Sequence, residues 1–149
     1  MEFTHMDKNG NAMMVDISNK KKVKRVAKAK GKIVLAASTL EKLKSKLLKK
    51  GDALSVAKIA GILGAKKTSD LIPLCHNIEI DKIDLSFELV SDGVEIYSEA
   101  ICTDKTGIEM EALTAVSVAA LTIYDMCKAV DKEMKIGGIE LVEKTKEEK

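Results

Sequence analysis

Tryptophan is absent from this chain of 149 residues, proline occurs once, and aromatic side chains make up 3 % of it. So few rings cannot build a stacking platform for single-stranded nucleic acid. An excess of one charge is also missing: 25 basic and 23 acidic residues leave a formal charge of +2, so global charge does not point to a nucleic-acid partner. Cysteines are few, odd in number and far apart, at Cys75, Cys102 and Cys127. With no CxxC pair, neither a zinc ribbon nor a redox dithiol has its spacing, and free thiols in a reducing compartment are expected. The N-terminus shows no basic stretch followed by an apolar core, and the longest apolar run is broken by Thr, Ser and Tyr. A cytoplasmic enzyme-sized domain is the expectation, with no signal peptide and no membrane span.

What is present is aliphatic: Ile, Leu, Val, Ala and Met supply the core of one domain spanning residues 1–149. Residues 1–18 have no helical period and contain the turn Asn9-Gly10-Asn11, which predicts an irregular arm. From residue 20 to 35 the pattern alternates. Val23, Arg25, Ala27, Ala29, Gly31, Ile33 and Leu35 share one parity and the lysines at 20, 22, 24, 28, 30 and 32 share the other, which predicts a strand with one wet, basic face. Arg25 then falls on the covered face, where it needs an anion or a carboxylate such as Glu109 or Glu111.

Ser38-Thr39-Leu40-Glu41 fits a capping box opening a helix with Leu40, Leu43 and Leu47 inward, stopped at Lys49-Lys50-Gly51. Asp52 caps a second helix, expected to bury Leu54, Ala57, Ile59, Ala60 and Leu63. After Pro73 comes a loop, Leu74-Cys75-His76-Asn77. Ile83, Leu85, Phe87 and Leu89, the turn Ser91-Asp92-Gly93, and Val94, Ile96, Ser98, Ala100 and Cys102 read as a β-hairpin. A long apolar helix over residues 106–128 follows, then a strand over residues 139–142 and a frayed charged tail at 145–149. The order β, α, α, β, β, α, β predicts an α+β fold, a ferredoxin-like sandwich with helices on one face of an antiparallel sheet.

The long helix carries charges that its apolar middle does not explain. Asp125 and Lys128 stand three apart, hence side by side, and could serve as an acid–base pair; taken alone, an ordinary ion pair at a helix end is the commoner origin of such a spacing. Glu109 and Glu111 open the same helix, where carboxylates suit the dipole. Glu111 and Asp125 share an azimuth but lie about 21 Å apart along the axis. One small ligand cannot touch both in one chain, so either they do different jobs or a second subunit completes a site. His76 in its loop is available for proton or phosphate duty, and Lys50, just before a helix, is placed to meet an anion. No phosphate-cradling glycine motif occurs.

Three stretches taken together, MVDIS (14–18), KGDALSVAKIAGILGAKKTSDLIPLCH (50–76) and TGIEMEALTAVSVAALTIYDMCKA (106–129), strongly resemble the cyclic pyranopterin monophosphate synthases, the family of molybdenum cofactor biosynthesis protein C. The resemblance covers roughly residues 4–144. It implies a lyase that converts 3′,8-cyclo-7,8-dihydroguanosine 5′-triphosphate into cyclic pyranopterin monophosphate and diphosphate. By the same resemblance Asp125 and Lys128 are the catalytic pair, while Leu74, Cys75, His76, Met110 and Glu111 contact substrate. Glu109, Lys50, Arg25 and Lys144 complete the polar pocket. The resemblance further implies a hexamer, a trimer of dimers with sites between subunits. It implies no protein-bound metal or cofactor, magnesium with the triphosphate being the one candidate. Two departures stand out: Asn77 where the family usually has proline, and TKEEK where it commonly has a glycine-rich tail. The rival expectations are a non-catalytic ferredoxin-like binding module and a zinc protein using Cys75, His76, Cys102 and Cys127.

Overall fold

The computed structural model describes residues 5–48 and 51–147. Four strands form one sheet in the order β2-β3-β1-β4, with β1 Val23–Val34, β2 Ile80–Val90, β3 Gly93–Asp104 and β4 Lys135–Glu147. Every neighbouring pair is antiparallel. Between β1 and β2 run α1 Ala37–Lys44, α2 Ala53–Lys66 and the single turn α3 Thr68–Leu71, while α4 Glu109–Cys127 joins β3 to β4. The expected α+β sandwich is therefore what forms. The parity of β1 is as read: Arg25, Ala27, Ala29, Gly31 and Ile33 are buried, and Lys28 and Lys30 lie in solvent. On the open face the lysines pair with acids of neighbouring strands, Lys28 with Glu99 and Glu143 and Lys30 with Glu140.

The core lies between the inner sheet face and α4, whose Ala112, Ala115, Val116, Ala119, Ala120 and Ile123 are fully enclosed. Ser98 on β3 donates to the Ala112 carbonyl at 2.8 Å, fixing the first turns of α4 to the sheet. By length and composition α4 could cross a membrane, but half of it is buried inside this fold. It is not covered all round: Leu121 and Tyr124 face outward, so the continuous burial its apolar run suggests is not met within one chain.

The helices before the hairpin correct several expectations. Ser38 caps nothing, because α1 begins one residue earlier, after Ala36. Its opening is served instead by Asp131, which follows α4 and accepts from the Ala36 N–H and the Thr39 hydroxyl. The helix ends at Lys44, and Lys46 turns into the left-handed region at φ 55°, which leaves Leu47 exposed rather than inward. Of the expected stop, Lys49 and Lys50 lie outside the described residues. In α2 Asp52 does cap, accepting from the Ser55 N–H and hydroxyl. The buried face, however, is Ala53, Ala57, Gly61, Gly64 and Ala65, while Ile59 and Leu63 are 61 % and 56 % exposed. The reason is proximity. A methyl group on Gly61 would sit 2.9 Å from the Ala115 carbonyl oxygen of α4, so only small residues fit between the two helices. At the other end of the chain, residues 145–147 are not a frayed tail: they pair with Val26, Arg25 and Lys24 as the last rungs of β4, which also begins earlier than expected, at Lys135.

Candidate functional site

The N-terminal end of α4 separates two adjoining cavities, and Gly107 and Glu109 line both. The larger, about 450 Å³, is walled by the loop Leu74-Cys75-His76, by Ile72, Ile78 and Met110, and by the arm residues Val15, Ile17 and Lys20. Its size falls within the range of small-molecule sites, and its walls are mostly apolar with a few polar groups. The smaller, about 310 Å³, has Arg25, Lys144 and Lys146 around it. The arrangement offers a mostly apolar cavity joined to a cationic cleft, with a carboxylate at the junction.

Glu109 holds that junction. Its Oε1 accepts from Lys144 Nζ at 3.2 Å, and its Oε2 is buried without a hydrogen-bond partner. The side chain folds back over Gly107, where a Cβ would lie 2.0 Å from Oε2, so any larger residue at 107 would displace the Glu109 carboxylate from this position. Glu111, two positions further along, is 2 % exposed and its Oε1 also lacks a partner. Burial, with the neighbouring charge of Glu109 adding to it, pushes the Glu111 carboxyl up to about 7. Burial and then the charges of Glu111 and Glu109 also raise the Cys75 thiol, which makes it a poor nucleophile and a neutral wall of the larger cavity.

His76 is oriented by the N-terminal arm. Its Nε2 meets the Val15 carbonyl oxygen, which can only accept, so Nε2 carries a proton. Arg25 is buried as the strand parity requires, but neither glutamate is its partner. Its Nε and Nη2 donate to the carbonyls of Asp104 and Lys105 at 3.2 and 3.3 Å. The end of β3 thus orients the guanidinium beside the cationic cleft.

Asp125 and Lys128 lie at the far end of α4. They form an ion pair of 2.9 Å, both more than half exposed. Hydrogen bonding to Asp125, and then its charge, raises the Lys128 pKa, so within one chain the lysine is a firm cation rather than a desolvated one of lowered pKa. The structure therefore gathers Leu74, Cys75, His76, Met110 and Glu109 around one cavity, and Arg25 and Lys144 around the next. Glu111 is buried near them, and the Asp125–Lys128 pair stands apart. Nor do Glu111 and Asp125 share an environment, since the first is enclosed and the second lies open. Lys50 lies outside the described residues.

The MoaC family matches residues 14–147. The chain belongs to this family. Within it, the cyclic pyranopterin monophosphate synthase of Desulfitobacterium hafniense is 56 % identical over 146 residues, which is 97 % of this chain and 90 % of that one. The protein of the same description from Peptoclostridium acidaminophilum is 54 % identical over 97 % of this chain and 92 % of its own. A molybdenum cofactor biosynthesis bifunctional protein of Chlorobaculum tepidum is 54 % identical over a region that is 46 % of its length. Like these MoaC relatives the chain is a biosynthetic enzyme. The zinc reading finds no support, because among the described residues no three His, Cys, Asp or Glu side chains are placed to hold a metal ion. Lys20, Lys146 and the Thr106-Gly107 step line the cavities without having been singled out in the sequence. The alternation in the sequence puts Lys20 on the basic strand face, yet it precedes β1.

Proposed function

We propose that this chain is the lyase that converts 3′,8-cyclo-7,8-dihydroguanosine 5′-triphosphate into cyclic pyranopterin monophosphate and diphosphate, in molybdenum cofactor biosynthesis. The observation that carries the reading is the two-part cleft at the head of α4, within a chain that is more than half identical to proteins named for this synthase. The cavity beside His76 and Met110 suits a heterocycle. Arg25 and Lys144 supply cations where the triphosphate must lie, and the resemblance assigns Lys50 the same role.

In the ring-closing step a sugar hydroxyl oxygen bonds to the α-phosphorus, its proton passes to a base, and the bond from that phosphorus to the diphosphate oxygen breaks. Cations beside the leaving group offset the charge that develops on it. The rearrangement that precedes it opens and recloses rings without net redox, so it needs proton transfer, assigned here to Asp125 with Lys128. Asp125 is about 21 Å along α4 from Glu111 and Lys128 lies further on, so a working site takes its substrate-contact groups from one chain and its proton-transfer pair from another. Exposed Val56, Ile59 and Leu63 on α2, with Leu121 and Tyr124 on α4, support a homo-oligomer, taken as a hexamer, a trimer of dimers. Three free thiols suit a cytoplasmic setting. Any magnesium arrives with the triphosphate rather than in a protein-built cage.

The test is diphosphate release from the cyclised triphosphate, followed by a coupled assay. Asp125→Ala and Lys128→Ala are expected to fold and to lose about a hundredfold or more in turnover. Parental turnover in both variants would refute the assigned pair. Binding of the triphosphate by the parent protein without diphosphate release would instead indicate a binding module.

A further inference from the structure

Among the described residues Asp131 is the one charged group buried at the far end of α4, with 5 % of its surface exposed. Its Oδ2 accepts from the Ala36 N–H at 2.8 Å and from the Thr39 hydroxyl at 2.9 Å, and its Oδ1 accepts from the Glu133 N–H at 3.1 Å. A buried carboxylate costs stability unless such donors surround it, and three do. These bonds hold its carboxyl below the usual range against the opposing effect of burial. They also join two distant pieces of chain, the β1–α1 corner and the segment that leaves α4.

That segment is short and closed. The Val130 and Asp131 N–H groups both donate to the Cys127 carbonyl at 3.0 Å, and Lys132 Nζ donates to the Lys128 carbonyl at 2.8 Å. Cys127 is fully buried, whereas Lys128 beside it is exposed, with its ammonium on Asp125. The exposed pair thus straddles the end of α4, Asp125 in its last turn and Lys128 at the start of a turn whose only buried polar anchor among the described residues is the Asp131 side chain, three positions beyond Lys128.

We infer that Asp131 is a positioning residue for the reaction, holding the Asp125–Lys128 pair in register by tying the end of α4 to the β1–α1 corner. The inference rests on the assignment of that pair under Proposed function. A displacement of about 1 Å in a proton-transfer pair can cost as much as a hundredfold in rate, whereas the cavity groups that bind substrate lie at the opposite end of α4 and do not depend on this turn.

Steady-state diphosphate release, measured below the melting transition of each variant, tests it. For Asp131→Ala we expect kcat to fall about tenfold with KM within about twofold of the parent. Asp131→Asn keeps an oxygen for Ala36 and Thr39 and should recover part of that loss. A folded Asp131→Ala with parental kcat overturns the inference, as does a rise in KM at constant kcat. If Asp131→Ala does not fold, Thr39→Val decides: it deletes one of the three donors, and a threefold or so loss in kcat at constant KM is expected, parental kcat being the refuting result. Lys128→Ala is the accompanying control. Full turnover there removes the pair itself from the chemistry, a failure distinct from inactive Lys128→Ala alongside fully active Asp131→Ala.

Discussion

At the scale of single residues, Glu111 has the most to say. Its carboxyl titrates near 7 when folded, against an ordinary value of 4.5. Below pH 4.5 both folded and unfolded chains carry the proton. As pH rises towards about 7 the unfolded chain releases it while the folded one keeps it, so stability falls across that window and levels off above it. At roughly 1.4 kcal/mol per pH unit the loss is on the order of 3 kcal/mol. Glu111→Gln has no proton to lose. Its melting temperature should therefore exceed the parent's by a margin that grows from about pH 5 to about pH 7, reaching several degrees. A margin that does not change with pH would count against a buried neutral acid. Glu111, Glu109 and His76 could be picked out from the sequence because carboxylates at the head of an apolar helix and a loop histidine are conspicuous, whereas Leu74 and Cys75 came only with the family resemblance. Lys20 and Lys146 could not, since lysines are abundant and nothing periodic marks these two. The carbonyl partners of Arg25 escaped notice because only the strand end supplies them.

Among elements, the contact between α2 and α4 is the most confining. Gly61 has Leu85 Cδ2 2.7 Å and the Ala115 carbonyl oxygen 2.9 Å from where a Cβ would stand. Leucine can swing aside, but the carbonyl belongs to the core helix. Gly61→Ala should cost about 1–3 kcal/mol in urea unfolding even though alanine is the better helix former. A stabilised variant would show that the helices can part. Strand parity and the hairpin were legible because period-two burial writes itself into sequence: β1, β2 and β3 all alternate. The face of α2 was not, because large aliphatics normally point inward and here the small residues do. The cap of α1 was illegible for another reason: its acceptor lies 92 positions away, at Asp131.

On the scale of the whole molecule, the binding and proton-transfer roles proposed for the two ends of α4 predict complementation. Chains carrying His76→Ala and chains carrying Asp125→Ala, each inactive alone, should recover about a quarter of parental turnover when unfolded together and reassembled in equal amounts, because a mixed pair of chains contains one intact site. Continued inactivity of the reassembled mixture would place both residues in a site made by one chain. The order of elements, and the distance between the two ends of α4, could be read from sequence. The pairing of residues 145–147 with β1 could not, since a run of charges looks solvated until a strand partner is known. The outward stripe of Val56, Ile59 and Leu63 on α2 has a thermodynamic meaning as well. If a second copy covers it, part of the free energy that holds each chain folded is association energy, and mass action governs it. Stability then has no single value per chain: it increases with protein concentration, and dilution erodes the fold and the catalyst together.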